Sequence, residues 1–401
     1  MLNRYFDSSA SCPVSGESIA LMQSLYQDWY CNPFSPHGLG KKSFELLTKA
    51  RQTIAKITGA PMQSIYFSSG ATESINILLQ GYMRFLNSIN SDRNEILISS
   101  TEHLAVHNTA LSLKQNGWNI KFINVDENGL ISPEKISEQI SEKTAIVCVI
   151  AVNNEVGTIQ PIEAIAKKVK EKDPEIFFLT DSVQAMGKTV KSFDLRFVDA
   201  FMLSGHKIGA PKGSCCFYLN PAIRIHPITF GGGQESGYRP GTTDPVLATV
   251  LADVFSKSVD NLDKNFQHLS KLNLFFDQAL SKRGVQFQRI VDQAFASPYI
   301  CAMIFPEIKG NLLIKMLSDR GFYISGGSAC SSSCGTKSRV LEALGKNNQD
   351  MMGAVRLSFA PFHKGEDIEE LALAIAECIE KTKTKTNADA TKTLILQENV
   401  S

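Results

Sequence analysis

Asp181 and Lys207 each close an apolar run, the first in EIFFLTD (175–181) and the second in DAFMLSGHK (199–207). A carboxylate at the end of a buried strand is costly unless it meets a cation. A lysine in a crowded strand-end site is pushed toward its neutral, nucleophilic form. Together they match the two demands of pyridoxal phosphate (PLP), a lysine for its Schiff base and an acid at its pyridinium nitrogen. A plain Asp181–Lys207 ion pair is the simpler alternative on those two residues. The third demand is a phosphate seat, and SSGATES (68–74) passes directly from a strand-like run into a helix-like one. Gly70 is read there as permitting a tight turn. Free N–H groups at the helix start, with the hydroxyls of Thr72 and Ser74, form an anion site. The bland alternative is an ordinary capped turn. STEH (100–103) brings His103, and VNNEVG (152–157) brings Asn153 and Asn154, to further strand ends; a structural histidine and turn-forming asparagines are the alternatives. No G-x-G-x-x-G follows the first strand, which disfavours dinucleotide binding.

The elements that must position these residues follow from the pattern. Short β-rich runs at 64–69, 95–100, 120–125, 144–152, 175–181, 199–205 and 213–219 alternate with helical stretches such as 71–86. Such alternation predicts an α/β fold with a mainly parallel sheet covered on both faces, and ligands in these sheets bind outside the carboxyl ends of the strands. SPEKISEQI (132–140) reads as a helix with Ser132 as N-cap and Pro133 in the first turn. After the glycine-rich 231–242 the texture changes to a long helical stretch, about 245–283. Strands, helices and a Gly/Ser/Cys segment then follow, as in a small α+β domain.

Composition narrows the class. Lysine and arginine total 41 against 40 acidic residues, too balanced for a nucleic-acid binder working through a basic surface. No run of about 18 apolar residues suggests a membrane span, and the N-terminus lacks a signal-peptide core. Nine cysteines, an odd number without a framework, fit reduced thiols in a cytoplasmic protein. Most fall in apolar runs, but Cys330 and Cys334 stand in SGGSACSSSCG (325–335), a Gly/Ser segment whose sequence carries no packing pattern. Their C-x-x-x-C spacing, with no second pair nearby, is a weak metal or cluster signal, and no metal is expected.

The landmarks NPFSPHGLG (32–40), SSGATES, TEH, VNNEVG, DSVQAMGK, SGHKIGAPKG, GGGQE…GT, GGSACSS (326–332) and RLSF stand in an order that resembles the cysteine desulfurases of the NifS/IscS type. These are class V members of the aspartate-aminotransferase-like PLP fold, and the likeness runs from YFDSSASCPV (5–14) to VRLSF (355–359). The resemblance implies a large domain with a seven-stranded sheet and a small α+β domain. The expected divisions are an N-terminal segment (1–15) joining the small domain, a large PLP-binding domain (16–255), a small domain (256–383) and a mobile tail (384–401). It implies that Lys207 holds the cofactor and moves protons, that Asp181 keeps the pyridine nitrogen protonated, and that Gln184 bonds the ring hydroxyl. His103 would stack on the ring and act in proton transfer. Thr72, Ser204 and His206 would hold the phosphate beside the Ala71 backbone, with Thr242 reaching it from a second subunit of a homodimer. Arg356 would clamp the carboxylate of L-cysteine with help from Asn154, Arg being able to pair bidentately. Cys330 would take the sulfur, leaving alanine and a persulfide for an acceptor protein in iron–sulfur assembly, tRNA thiolation or another route. Cys12 stands where the family has a hydroxyl, Gln234 where histidine is common, and Pro240 where a small polar residue is usual. Selenocysteine lysis, another class V reaction, and a silent binding or sensor role are the competing readings.

Overall fold

Seven runs rich in β-branched and aromatic residues form one sheet: β1 (Ile65–Ser68), β2 (Glu95–Ser99), β3 (Asn119–Ile123), β4 (Thr144–Cys148), β5 (Phe177–Thr180), β6 (Ala200–Ser204) and β7 (Cys215–Leu219). Their order is β1-β7-β6-β5-β4-β2-β3. β7 runs antiparallel to both its neighbours, and the remaining pairs are parallel. The computed structural model describes residues 2–326 and 337–398, with side chains as far as residue 384. Cys330 and Cys334 therefore lie outside the described residues.

The central strands are apolar on both faces, as a doubly covered sheet requires. Ile96, Ile98, Ile146, Cys148, Phe177, Leu179, Met202 and Phe217 are all buried in one core cluster. Helix Ala71–Ser88 covers this core with Ile75, Leu78, Leu79, Tyr82 and Leu86, which recur at helical spacing on one stripe. Helix Pro133–Gln139 begins as expected, with Ser132 Oγ accepting from Lys135 N and Pro133 in the first turn. The chain builds outward from β2 to β3, then returns to β4 and proceeds the other way through β5 and β6. The sheet therefore reverses direction between β2 and β4, and a crevice opens at the carboxyl ends of such strands.

The chain divides into two units. The larger comprises Ser11–Asn154 and Thr158–Lys264, and the smaller comprises residues up to Ala10, 155–157 and those from Asn265 onward. The sequence reading put these divisions at 15/16 and 255/256. The latter falls instead between Lys264 and Asn265, inside helix Leu262–Lys282, and the helical stretch after residue 244 is two helices, Pro245–Asp260 and Leu262–Lys282, separated at Asn261. In the smaller unit, β8 (Gln288–Arg289), β9 (Cys301–Ile304) and β10 (Ala354–Leu357) form an antiparallel sheet in the order β10-β9-β8. The N-terminal segment joins it: Phe6 N donates to Tyr323 O at 2.8 Å and Ser358 N to Phe6 O at 2.8 Å. Helix Gly365–Glu398 continues through much of the segment read from sequence as a tail.

Candidate active site

The carboxyl ends of β2, β4, β5 and β6 carry a cluster of buried polar groups. Asp181 follows β5 directly and is buried. Burial raises its carboxyl pKa, while His103, the Val183 N–H donating to Oδ1, and Lys207 pull it down. Ala151 N donates to the Asp181 carbonyl at 2.8 Å, tying the end of β5 to the segment after β4. His103 is the N-cap of helix Leu104–Leu113, its Nδ1 accepting from Ala105 N at 3.1 Å. A neutral ring in that arrangement carries its proton on Nε2. Asn153 Nδ2 donates to Thr101 O at 2.9 Å across the β2/β4 reversal, a structural task, and Asn154 follows it half-buried.

Ser204 ends β6, and His206 and Lys207 stand in the single helical turn that follows. This turn needs Gly205: a Cβ there would lie 2.9 Å from both Ala210 Cβ and the Ser214 carbonyl. Burial lowers the His206 pKa to about 4, with Lys207, Lys212 and Lys188 acting in the same direction. The imidazole is thus neutral near pH 7. The His206 backbone carbonyl accepts from Cys12 N at 2.7 Å, so Cys12 lies against this turn. Burial raises the Cys12 thiol, partly countered by Lys188.

Gln184 and Lys188 sit in the turn after β5, both buried, with Lys188 Nζ donating to Gln184 Oε1 at 2.8 Å. Ser182 Oγ anchors the same turn to β6, donating to the Met202 carbonyl and accepting Met202 N at 3.0 Å. Lys188 closes the DSVQAMGK motif (181–188), and the family resemblance assigns it no role. The signal was present in the four-residue spacing of Gln184 and Lys188.

Helix Ala71–Ser88 begins without a side-chain cap, and Thr72 is exposed in its first turn. Gly70 is extended there (φ 176°), and an added Cβ would meet nothing within 4 Å. The chain does turn within two residues, bending at Ser69 between β1 and the helix, but the backbone at position 70 does not demand glycine. Glu73 accepts from Ser69 N at 2.6 Å and from Arg239 Nε at 3.1 Å, which ties the glycine-rich loop to this helix start. That loop is anchored by Glu235, a buried carboxylate that takes two hydrogen bonds from Arg51 at 2.8 Å each, and others from Phe67 N at 2.8 Å and Thr243 Oγ1 at 3.2 Å. Glu235 and Ser236 are left-handed (φ 48° and 56°), a conformation whose cost the bidentate pair offsets. Arg51 lies 184 residues away, so nothing local in the sequence announced the pair. A cavity of about 150 Å³ is lined by Ser68, Ser69, Ser214, Arg239 and the exposed Thr242 among others.

Arg356 belongs to the smaller unit. It lies on β10, 2 % exposed, and its Nη2 donates to Asp7 Oδ1 at 2.9 Å and Ser325 Oγ at 2.7 Å. Ser325 Oγ in turn donates to Asp7 Oδ1 at 2.8 Å. Neither Asp7 nor Ser325 was singled out from sequence. Of the predicted residues, the larger unit thus holds Ala71, Thr72, His103, Asn154, Asp181, Gln184, Ser204, His206, Lys207 and Thr242, the smaller unit holds Arg356, and Cys330 is not described.

Such an array defines an enzyme class in which a strand-end lysine and carboxylate serve an organic cofactor. The aminotransferase class-V model matches residues 4–371. The cysteine desulfurase IscS of Methanosarcina thermophila is 32% identical over 94% of this chain and 92% of its own. A solved NifS-like protein is 31% identical, with a TM-score of 0.87 and coverage of 94% of this chain and 99% of that one. SspA, solved in complex with cysteine, is 29% identical, with a TM-score of 0.77 and coverage of 90% and 100%. The chain belongs to the class-V aminotransferase family, in its cysteine desulfurase branch. The family implies PLP, and the donor set fits it. A buried carboxylate, an amine beside it, and an uncapped helix start with nearby hydroxyls meet the needs of the ring nitrogen, the carbonyl carbon and the phosphate. Among the described residues, no cluster suited to a metal ion occurs, and no helix is long and apolar enough to cross a membrane.

Proposed function

We propose that the chain is a PLP-dependent enzyme that removes sulfur from L-cysteine, yielding L-alanine and a persulfide on Cys330. The observation that carries this reading is the placement of His103, Asp181 and Lys207 directly after the carboxyl ends of β2, β5 and β6, where His103 and Lys207 both act on the buried Asp181 carboxyl. Bound there, PLP supplies an electron sink that loosens the bonds around the amino acid's α-carbon. Lys207 holds the cofactor through Nζ and exchanges protons with the substrate. Asp181 pairs with the ring nitrogen, and Gln184 donates to the ring hydroxyl. His103 lies against the ring and offers the proton on Nε2. Ala71, Thr72, Ser204 and the neutral His206 hold the phosphate, with Thr242 contributed by the second copy of a homodimer. Arg356 takes the substrate carboxylate, assisted by Asn154. Cys330, as the thiolate, bonds to the substrate sulfur while the substrate's C–S bond breaks, and the carbon keeps the electron pair and takes up a proton. An acceptor protein in the cytoplasm then collects the sulfur.

The test is to incubate the PLP-loaded protein with L-cysteine and dithiothreitol and assay sulfide and alanine together. Equal amounts of both, absent in Cys330→Ser with its cofactor absorbance intact, support the reading. A keto acid in place of alanine would move the protein to an aminotransferase reaction. Normal cofactor absorbance with neither product would point to another amino-acid substrate or a silent relative.

A further inference from the structure

Glu73 stands in the first turn of the helix whose start is read above as the phosphate seat. Its carboxylate folds back over that start. Oε2 accepts from Ser69 N at 2.6 Å and from Ser69 Oγ at 2.8 Å, and Oε1 accepts from Arg239 Nε at 3.1 Å. Burial raises the carboxyl pKa, but the Ser69 bonds and Arg239 outweigh it and hold Glu73 below the ordinary carboxylate range. The group is therefore anionic near pH 7. A negative charge in the first turn suits a helix N-terminus that holds no ligand. Beside a phosphate on the same N–H groups it becomes a like charge, and opposes part of the helix start's attraction. Arg239 supplies the compensating charge, in a pair exposed by only 23 % and 32 %, so solvent screens it in part. The place of Arg239 is fixed from the other side too. Glu235, four residues earlier, is buried and accepts from Phe67 N at 2.8 Å, on the strand that leads into the same helix. The stretch 235–239 is thus fastened to the β1–helix junction twice, at Phe67 and at Glu73. Arg239 also lines the cavity of about 150 Å³ with Ser68 and Ser69, the residues just before the helix start.

We infer that Arg239 is a positioning residue of the phosphate seat that acts through Glu73, cancelling the carboxylate's repulsion of a phosphate at the helix start. This rests on the cofactor reading above. The consequence is a charge rule, in which the sum of the charges at positions 73 and 239 sets the hold on the phosphate. Losing the cation alone weakens that hold, and losing the anion as well restores it.

The probes are PLP and pyridoxal, which share the ring and the aldehyde and differ by the phosphate. Each is titrated into the full chain stripped of cofactor, following the absorbance of the linked form. Arg239→Gln should weaken PLP by about 5-fold and pyridoxal by less than about twofold, and the PLP loss should shrink in high salt. Arg239→Lys, which keeps the charge, should stay near the parent. Glu73→Gln combined with Arg239→Gln should bring PLP back to within about twofold of the parent. Glu73→Gln alone, which keeps an acceptor for Ser69, should not weaken PLP, and it carries the test if Arg239→Gln does not fold. Equal weakening of PLP and pyridoxal in Arg239→Gln overturns the inference, because the pair then only supports the loop. So does a double variant as weak for PLP as Arg239→Gln, or a Glu73→Gln protein that binds PLP less tightly than the parent. A parent that binds neither probe would instead sink the cofactor reading, and one that binds both alike would sink the seat at this helix start.

Discussion

The strand-end cluster of the larger unit and the Arg356 cluster of the smaller unit are built in opposite ways. In the larger unit His103, Asp181 and Lys207 follow directly on their own strands, and local bonds hold those turns in place. Examples are the His103 cap, the Val183 N–H on Asp181, and the turn over Gly205. In the smaller unit a guanidinium nitrogen is shared by residues distant in sequence, Asp7 near the N-terminus and Ser325, 31 residues before Arg356. The first arrangement places a group by short-range geometry. The second depends on the N-terminal segment finding its place beside β10. Local turns give many half-independent placements, whereas a long-range junction fails as a whole.

The largest expected effect tests the first kind. Lys207→Ala removes the amine while leaving the turn over Gly205 intact. Cofactor absorbance characteristic of the linked form should vanish and sulfide release fall by roughly 10³-fold or more, with the circular dichroism unchanged. An unchanged spectrum would refute the assignment. Next comes the exception within the larger unit, the long-range pair of Glu235 and Arg51. Glu235→Ala leaves Arg51 without its bidentate partner and the left-handed turn without its anchor, and should cost about 3 kcal/mol in urea unfolding. A loss below about 1 kcal/mol would show that the loop is held by Arg239 and Glu73 instead.

In the smaller unit, Asp7→Ala should cost about 2 kcal/mol, the scale of a hydrogen bond to a charged group, and Asp7→Asn less. KM for L-cysteine should rise in Asp7→Ala more than kcat falls, as a loosened Arg356 predicts. An unchanged KM would separate Asp7 from substrate binding. The smallest effect is a pH slope. His363 is stacked on Phe6 with ring centroids 4.4 Å apart, and burial lowers its pKa to about 4, with His268 acting the same way and Asp367 opposing. An unfolded histidine takes its proton near pH 6.5, so between about 6.5 and 4 the unfolded chain binds more protons and stability falls as pH is lowered. His363→Gln should flatten the decline of Tm across that window. An identical slope would assign the acid limb to other groups.

What could be read in the sequence follows the same division. The seven strands, the Ser132 cap and the strand-end positions of His103, Asp181 and Lys207 all rest on short-range pattern, and each is found where periodicity put it. The missed residues, Arg51, Glu235 and Asp7, are charged groups whose partners lie far along the chain, so no window of sequence contains both halves. Lys188 is the intermediate case: the spacing was visible, but the burial that gives the contact its meaning was not. At Gly70 the turn was legible but its cause was not, since the residue is extended and a glycine there is not required by the backbone.

By itself the sequence determined the alternation of elements, the residue types available at each strand end and the family to which their order belongs. These depend on side-chain chemistry and on periodicities of two and 3.6 residues. The tertiary structure alone decided the reversal of the sheet between β2 and β4, the break at Asn261, the anchoring of the glycine-rich loop and the buried contact of Lys188 with Gln184. Each of these is set by burial and by long-range or side-chain partners, and such choices have no representation in a linear string until the chain has folded.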